Sequence, residues 1–199
     1  STYDVGRIDH FRGFAGYYAF AYGEASARNG RWREGAGDAL VAAIKKKLGS
    51  PRIIAEDLGF LPEDVTALLK QCGYPGMKVL EFAFDSRDGG DYRPHSYPKN
   101  CIAYVVTHDN EPVNGWMETA APEDVARAVR YLNLTKKEGY HWGMMRGIWS
   151  SAADLAVVQA QDLLGLGHDS RMNTPSTLGG NWCWRAEPGV LNTRLAQKL

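Results

Sequence analysis

The sequence predicts a parallel α/β protein, on two observations. Apolar, β-prone runs alternate along the chain with stretches of helical periodicity, the pattern that builds a sheet covered by helices. Three of those runs also end in the same way, in an acid with a glycine or turn residue close behind: Arg7-Ile8-Asp9-His10-Phe11-Arg12-Gly13, Ile53-Ile54-Ala55-Glu56-Asp57-Leu58-Gly59 and Ile102-Ala103-Tyr104-Val105-Val106-Thr107-His108-Asp109-Asn110. The acids are each roughly 50 residues from the next, the span of one long or two short strand–helix units.

Residues 3–9 form the first predicted strand. Phe14 to Gly23 is aromatic-rich without a clean period, and suits a short helix or a cleft wall. Residues 27–37 read as a loop, with Asn29-Gly30 as its turn signal. Asp38 is placed to cap a helix from Ala39 to Leu48, where Leu40, Val41 and Ile44 keep helical spacing. A second strand covers 52–56. Leu61-Pro62-Glu63-Asp64 opens the next helix, with proline and acids suited to a first turn, and it ends near Cys72-Gly73. A third strand covers 77–84. The long polar loop from Asp85 to Asn100, holding Asp88, Tyr92, His95 and Tyr97, has the length of a mobile or binding segment. A fourth strand covers 101–107. Helical patterns follow from Val113, from Pro122 to Leu132, and over much of 137–156. Residues 157–165 suit a fifth strand, although a helix would also fit them, while 190–198 suit a short terminal helix. Five strands fall short of the eight that close a barrel, which leaves an open sheet or the later part of a larger barrel.

Composition narrows the function. Lysine plus arginine equals aspartate plus glutamate at 23 each, so no net field favours nucleic acid or an anionic membrane. The three cysteines, Cys72, Cys101 and Cys183, form no CxxC pair, which argues against a zinc site or a disulfide framework. No HxH or HExxH spacing occurs, so no metal or other cofactor is expected. No apolar run is long enough to span a membrane, and Ser1-Thr2-Tyr3-Asp4 lacks the pattern of a secretion signal; both predict a cytoplasmic protein. Six tryptophans and ten tyrosines supply flat apolar faces with polar edges, which suit a core and also suit sugar rings.

The charged strand ends carry the chemistry. Side chains alternate along a strand, so Arg7 and Asp9 share a face, and the guanidinium favours an ionised, oriented carboxylate. Either a salt bridge that fixes a loop or a nucleophilic acid fits that pair. In a parallel barrel the C-terminal strand ends converge, which would bring Asp9, Glu56 and Asp109 to one face.

Those stretches, with Pro75-Gly76-Met77-Lys78-Val79-Leu80, Arg171-Met172-Asn173-Thr174-Pro175 and Gly180-Asn181-Trp182, resemble the 4-alpha-glucanotransferases (amylomaltases) of glycoside hydrolase family 77, in order and over nearly the whole chain. Glu111-Pro112 follows the third acid where many relatives differ. The resemblance implies the C-terminal part, about strands 4 to 8, of a (β/α)8 barrel, with residues 1–199 one partial catalytic domain. It implies a retaining transfer of α-1,4-glucan segments between maltooligosaccharides: Asp9 as nucleophile, Glu56 as general acid/base, and Asp109 as stabiliser of the distorted sugar. Glu56 should then sit in a dry place that keeps it protonated. Arg7 and His108 would bind the sugar at the cleavage position, with Asp85, Asn181 and Trp182 as further glucan contacts. His10 and Asp57 face away from the acids beside them and suit supporting roles; Asp162 suits packing or capping. Open sheet edges also predict pairing of the chain with itself or with an N-terminal half. The alternatives are an α-glucan hydrolase of the same clan and an inactive glucan-binding fragment.

Overall fold

The computed structural model describes residues 3–59, 61–86 and 91–199, so Asp88 of the long loop lies outside the described residues. The architecture is mixed α/β, with short strands and longer helices, and the chain divides into two compact units. One is Ser1–Met77 with Asn100–Ile102; the other is Lys78–Lys99 with Ala103–Leu199.

In the first unit, β1 (Gly6–Ile8) pairs in parallel with β4 (Ile53–Ala55), in the register Gly6↔Ile53, Arg7↔Ile54, Ile8↔Ala55. Between them lie the short helix α1 (Arg12–Ala15), the strands β2 (Gly16–Ala19) and β3 (Arg31–Glu34), and helix α2 (Gly37–Leu48). Helix α3 (Glu63–Cys72) follows β4 and stops at Gly73 in the left-handed conformation that glycine accepts freely. Phe11 and Ala55 are fully buried among Val41, Val65, Leu68 and Tyr74, and the Phe11 ring meets Tyr74 edge-on at 6.4 Å. This core lies directly beneath the loop that leaves β1.

Helices α2 and α3 fall where their periodicity put them, with two corrections. Asp38 is not the cap of α2: Ala36 holds that position without a side-chain bond, and Asp38 lies in the first turn, where a negative charge still meets the helix dipole favourably. Residues 31–34 are a strand rather than loop. β2 and β3 pair antiparallel, Tyr18 opposite Trp32, with their rings edge-on at 5.5 Å and the Arg12 guanidinium 4.4 Å above the indole. All of β3 is exposed, so the strand has no apolar alternation to read, and cross-strand pairs hold it instead.

A further three-stranded sheet has the order β5 (Gly76–Val79), β6 (Cys101–Tyr104), β7 (Leu155–Val157). The predicted strands 77–84 and 101–107 are thus cut short; the first turns into a 3-10 segment over Leu80–Ala83. The fifth strand is not 157–165: it lies earlier, and Ala160–Leu163 forms helix α7. The second unit contains α4 (Val113–Thr119), α5 (Pro122–Leu132), α6 (Tyr140–Trp149) and, near the C-terminus, α8 (Thr193–Lys198). Helix α6 buries Trp142, Met144, Met145 and Ile148 and contacts α4, α5 and α7. Asp162 is fully buried, and its Oδ1 accepts the Val113 N–H at 2.8 Å, capping the first turn of α4.

Gly76 shows how tightly the strand ends are tied. The Asp57 carboxylate occupies the space a Cβ at Gly76 would need, and Asp57 Oδ1 accepts the Met77 N–H at 2.6 Å. Gly76→Ala must displace that carboxylate and break the bond, so urea unfolding should show a loss of about 1–3 kcal/mol. A loss below about 0.5 kcal/mol would show that Asp57 moves aside freely.

Candidate active site

In the first unit the strand register does the placing. Ile8 and Ala55 are partners in parallel neighbours, so the residues that follow them, Asp9 and Glu56, leave the same end of the two strands. The backbone ladder runs on past the strands: the Glu56 N–H donates to Ile8 O at 2.9 Å, and the Phe11 N–H donates to Glu56 O at 3.0 Å. Between those bonds His10 takes a positive φ of 48°, an unusual conformation for a residue with a Cβ, held on one side by buried Phe11. This turn aims the His10 N–H at Glu56 Oε2, 2.7 Å away, while Glu56 Oε1 accepts the Leu58 N–H at 2.9 Å. Both Glu56 oxygens are therefore fixed by backbone donors. The residue is half-buried rather than dry, because the loops that supply those donors are themselves open to solvent.

Asp9 Oδ1 lies 2.7 Å from Arg7 Nη1, as alternation along β1 requires. The Asp9 side chain is 75% exposed, so the pair adds little to stability. Its effect is on direction: Arg7 Nε also donates to Met77 Sδ at 3.5 Å, which ties the guanidinium down.

In the second unit, Asp109 does not end a strand. β6 stops at Tyr104, and Asp109 occupies a turn closed by the Asn110 N–H donating to Thr107 O at 3.1 Å. The segment 168–182 folds over this turn. Asn173 Nδ2 donates to Asp109 Oδ1 at 2.6 Å, Arg171 Nη2 to Asp109 O at 2.5 Å, and the Asn173 N–H to His108 O at 3.1 Å. Glu111 anchors the same arginine: its Oε1 is 2.5 Å from Arg171 Nη1 and 2.9 Å from His168 Nδ1. His108 Nε2 lies 3.5 Å from Asp109 Oδ1, and its ring is 4.9 Å from that of Trp182. Trp182 has a φ of 62°, its N–H donates to Met172 O at 2.6 Å, and half of the residue is open to solvent. Asn181 uses both ends of its amide within the loop: Oδ1 accepts the Thr174 N–H at 2.9 Å, and Nδ2 donates to Thr177 Oγ1 at 3.0 Å. Asp85 is half-buried just past Phe84.

Each unit thus presents a carboxylate fixed by neighbours: Asp9 and Glu56 in the first, Asp109 in the second. Arg171 and Asn173 belong to a sequence motif that by itself assigns them no role, and Glu81 lies outside the motifs. Glu81 had a readable signal, a lone acid in the apolar run Val79–Phe84. Among the described residues no group of three or more His, Cys, Asp or Glu is placed to hold a metal ion, and no helix is long and apolar enough to cross a membrane.

Parallel strands that run directly into acid-bearing loops, with aromatic and arginine side chains beside them, define an α/β protein with carboxylates presented on its loops. The comparisons make this specific. A family model described as 4-alpha-glucanotransferase, glycoside hydrolase family 77, matches residues 1–192. The 4-alpha-glucanotransferase of Clostridium butyricum is 49% identical over 99% of this chain and 41% of its own length. That of Synechocystis sp. is 44% identical over 98% of this chain and 39% of its own. Among solved structures, amylomaltase from Streptococcus agalactiae in complex with acarbose superposes with a TM-score of 0.92 at 41% identity, covering 98% of this chain and 40% of that one. Amylomaltase from Corynebacterium glutamicum, at 21% identity and a TM-score of 0.69 over 90% of this chain and 31% of that one, shares the fold. The chain belongs to the 4-alpha-glucanotransferase family, and it spans about two fifths of the length of the curated relatives it matches.

Proposed function

We propose that this chain carries the catalytic acids of a retaining 4-alpha-glucanotransferase, which moves α-1,4-glucan segments between maltooligosaccharides. Asp9 attacks the anomeric carbon while Glu56 protonates the departing glycosidic oxygen, leaving a glucosyl ester on Asp9. Glu56 then takes the proton of an incoming sugar 4-hydroxyl, whose oxygen displaces Asp9. Asp109 stabilises the charge and distortion of the sugar ring, Arg7 and His108 hold that ring, and Asp85, Asn181 and Trp182 contact the flanking glucan. The strands correspond to strands 4 to 8 of a (β/α)8 barrel, a reading supported by the parallel register of β1 with β4 and by the likeness to the streptococcal amylomaltase.

One observation carries the proposal: Asp9 and Glu56 directly follow register partners on adjacent parallel strands. Neighbouring strands lie about 4.8 Å apart, and retaining enzymes need their two carboxyl groups only about 5–5.5 Å apart.

The test is incubation of a working enzyme carrying these residues with maltotriose. Glucose together with longer oligomers indicates transfer; shorter sugars alone would indicate hydrolysis and overturn the assignment. Glu56→Gln supplies the second arm. It should block maltotriose turnover yet spare a substrate whose leaving group needs no proton. It should also cost about 1–2 kcal/mol of stability, because an amide has one acceptor oxygen for the two N–H groups of His10 and Leu58. Equal loss on both substrates would remove Glu56 from the acid role.

A further inference from the structure

Glu81 is a half-buried acid with an enclosed carboxyl oxygen, and the mechanism above leaves it unused. It lies in the 3-10 segment after β5, where its N–H donates to Val105 O at 3.2 Å. Glu81 Oε1 accepts the Asn110 Nδ2 at 3.2 Å, while Oε2 is buried and has no hydrogen-bond partner among the described residues. A carboxylate there would give up its hydration with little in return. Burial pushes the Glu81 carboxyl up to about 8, so it carries its proton at neutral pH. The charges facing it divide: Asp162 on α7 and Glu111 also oppose its ionisation, whereas the Asn110 amide and Arg171 favour it.

Asn110 is the joint between this acid and the loop above. With Nδ2 turned toward Glu81, Asn110 Oδ1 faces Thr107 and accepts both its N–H, at 3.0 Å, and its hydroxyl, at 2.7 Å. Thr107 Oγ1 in turn accepts the Asp109 N–H at 3.3 Å, and Gln159 Nε2 donates to Thr107 O at 2.5 Å. An unbroken chain of bonds therefore runs from Glu81 through Asn110 and Thr107 to the backbone of Asp109.

We infer that Glu81 is a positioning residue: by fixing which way the Asn110 amide faces, it sets the Thr107–Asn110 turn and with it His108 and Asp109. The consequence for catalysis rests on the reading of those two side chains as sugar-facing groups.

Two substitutions test this. Glu81→Gln keeps the acceptor oxygen and cannot ionise; Glu81→Met keeps the length and removes the acceptor. In the 199-residue chain, hydrogen exchange of the Asn110 side-chain amide, read by NMR, should quicken about tenfold in Glu81→Met and stay near the native rate in Glu81→Gln. In a working enzyme, Glu81→Met should lower kcat about tenfold with KM within about twofold, and Glu81→Gln should restore kcat. Native exchange in Glu81→Met overturns the proposal. Should Glu81→Met fail to fold, exchange in Glu81→Gln decides: with the acceptor oxygen kept the rate should stay near native, and a rise of about tenfold overturns the proposal. Because exchange is read without turnover, an altered amide in a chain that transfers no glucan would count against the catalytic reading and leave the positioning role standing.

Discussion

Asp9→Asn, placed in a working 4-alpha-glucanotransferase that carries these residues, removes glucan transfer and leaves the fold intact. The amide cannot form the glucosyl ester, so kcat/KM should fall by about 10³-fold or more, some 4 kcal/mol of transition-state stabilisation. Stability should move by less than about 0.5 kcal/mol, because Asp9 is 75% exposed and its bridge to Arg7 is a surface pair. The combination separates Asp9 from the other acids, since Glu56 holds two backbone N–H groups and Asp109 is gripped by Asn173. Paired measurement of maltotriose turnover and urea unfolding is the check. Turnover within about tenfold of native would end the nucleophile assignment, and a loss of both activity and stability would show Asp9 to be structural.

Stability that declines as pH rises from acid to mildly alkaline conditions is the second large effect. The folded chain holds the Glu81 proton up to about 8, against an ordinary value of 4.5. Below about pH 4.5 both folded and unfolded chains are protonated there, and the full stability is present. As pH rises through that window the unfolded chain releases a proton that the native state retains, so stability falls, and it levels off above about 8. The loss is on the order of a few kcal/mol. Asp162, which burial pushes up to about 6 from 3.8, adds a slope of the same sign over a lower and narrower range. Urea unfolding of the native chain and of Glu81→Gln at pH 5 and pH 8 isolates the contribution: the native chain should lose more stability between the two pH values. Parallel losses would mean that Glu81 is ionised in the folded protein.

The residues made much of this protein readable. Helices α2, α3 and α5 repeat apolar residues at helical spacing and carry their stop or start signals locally, so their spans were close at hand. Asp9 and Glu56 each follow an apolar run ended by a turn, and the same motifs carried the family resemblance that the family model and the curated relatives bear out. What local pattern could not supply were features whose partners lie far along the chain. Strand β3 has no buried face, and only its pairing with β2 makes it a strand. The fifth strand and α7 exchange places relative to the reading because short apolar runs suit either state until neighbours choose.

The sequence by itself determined the family, the α/β class and the place of Asp9 and Glu56 at strand ends, since these follow from residue type and short-range spacing. Tertiary structure alone decided how those acids are held. Glu56 receives the His10 N–H across 46 positions, Asp109 is clasped by Arg171 across 62, and Glu81 is driven to keep its proton by its burial. Hydration and hydrogen bonding at a carboxylate depend on everything within a few ångströms of it, and most of those neighbours are remote in the chain.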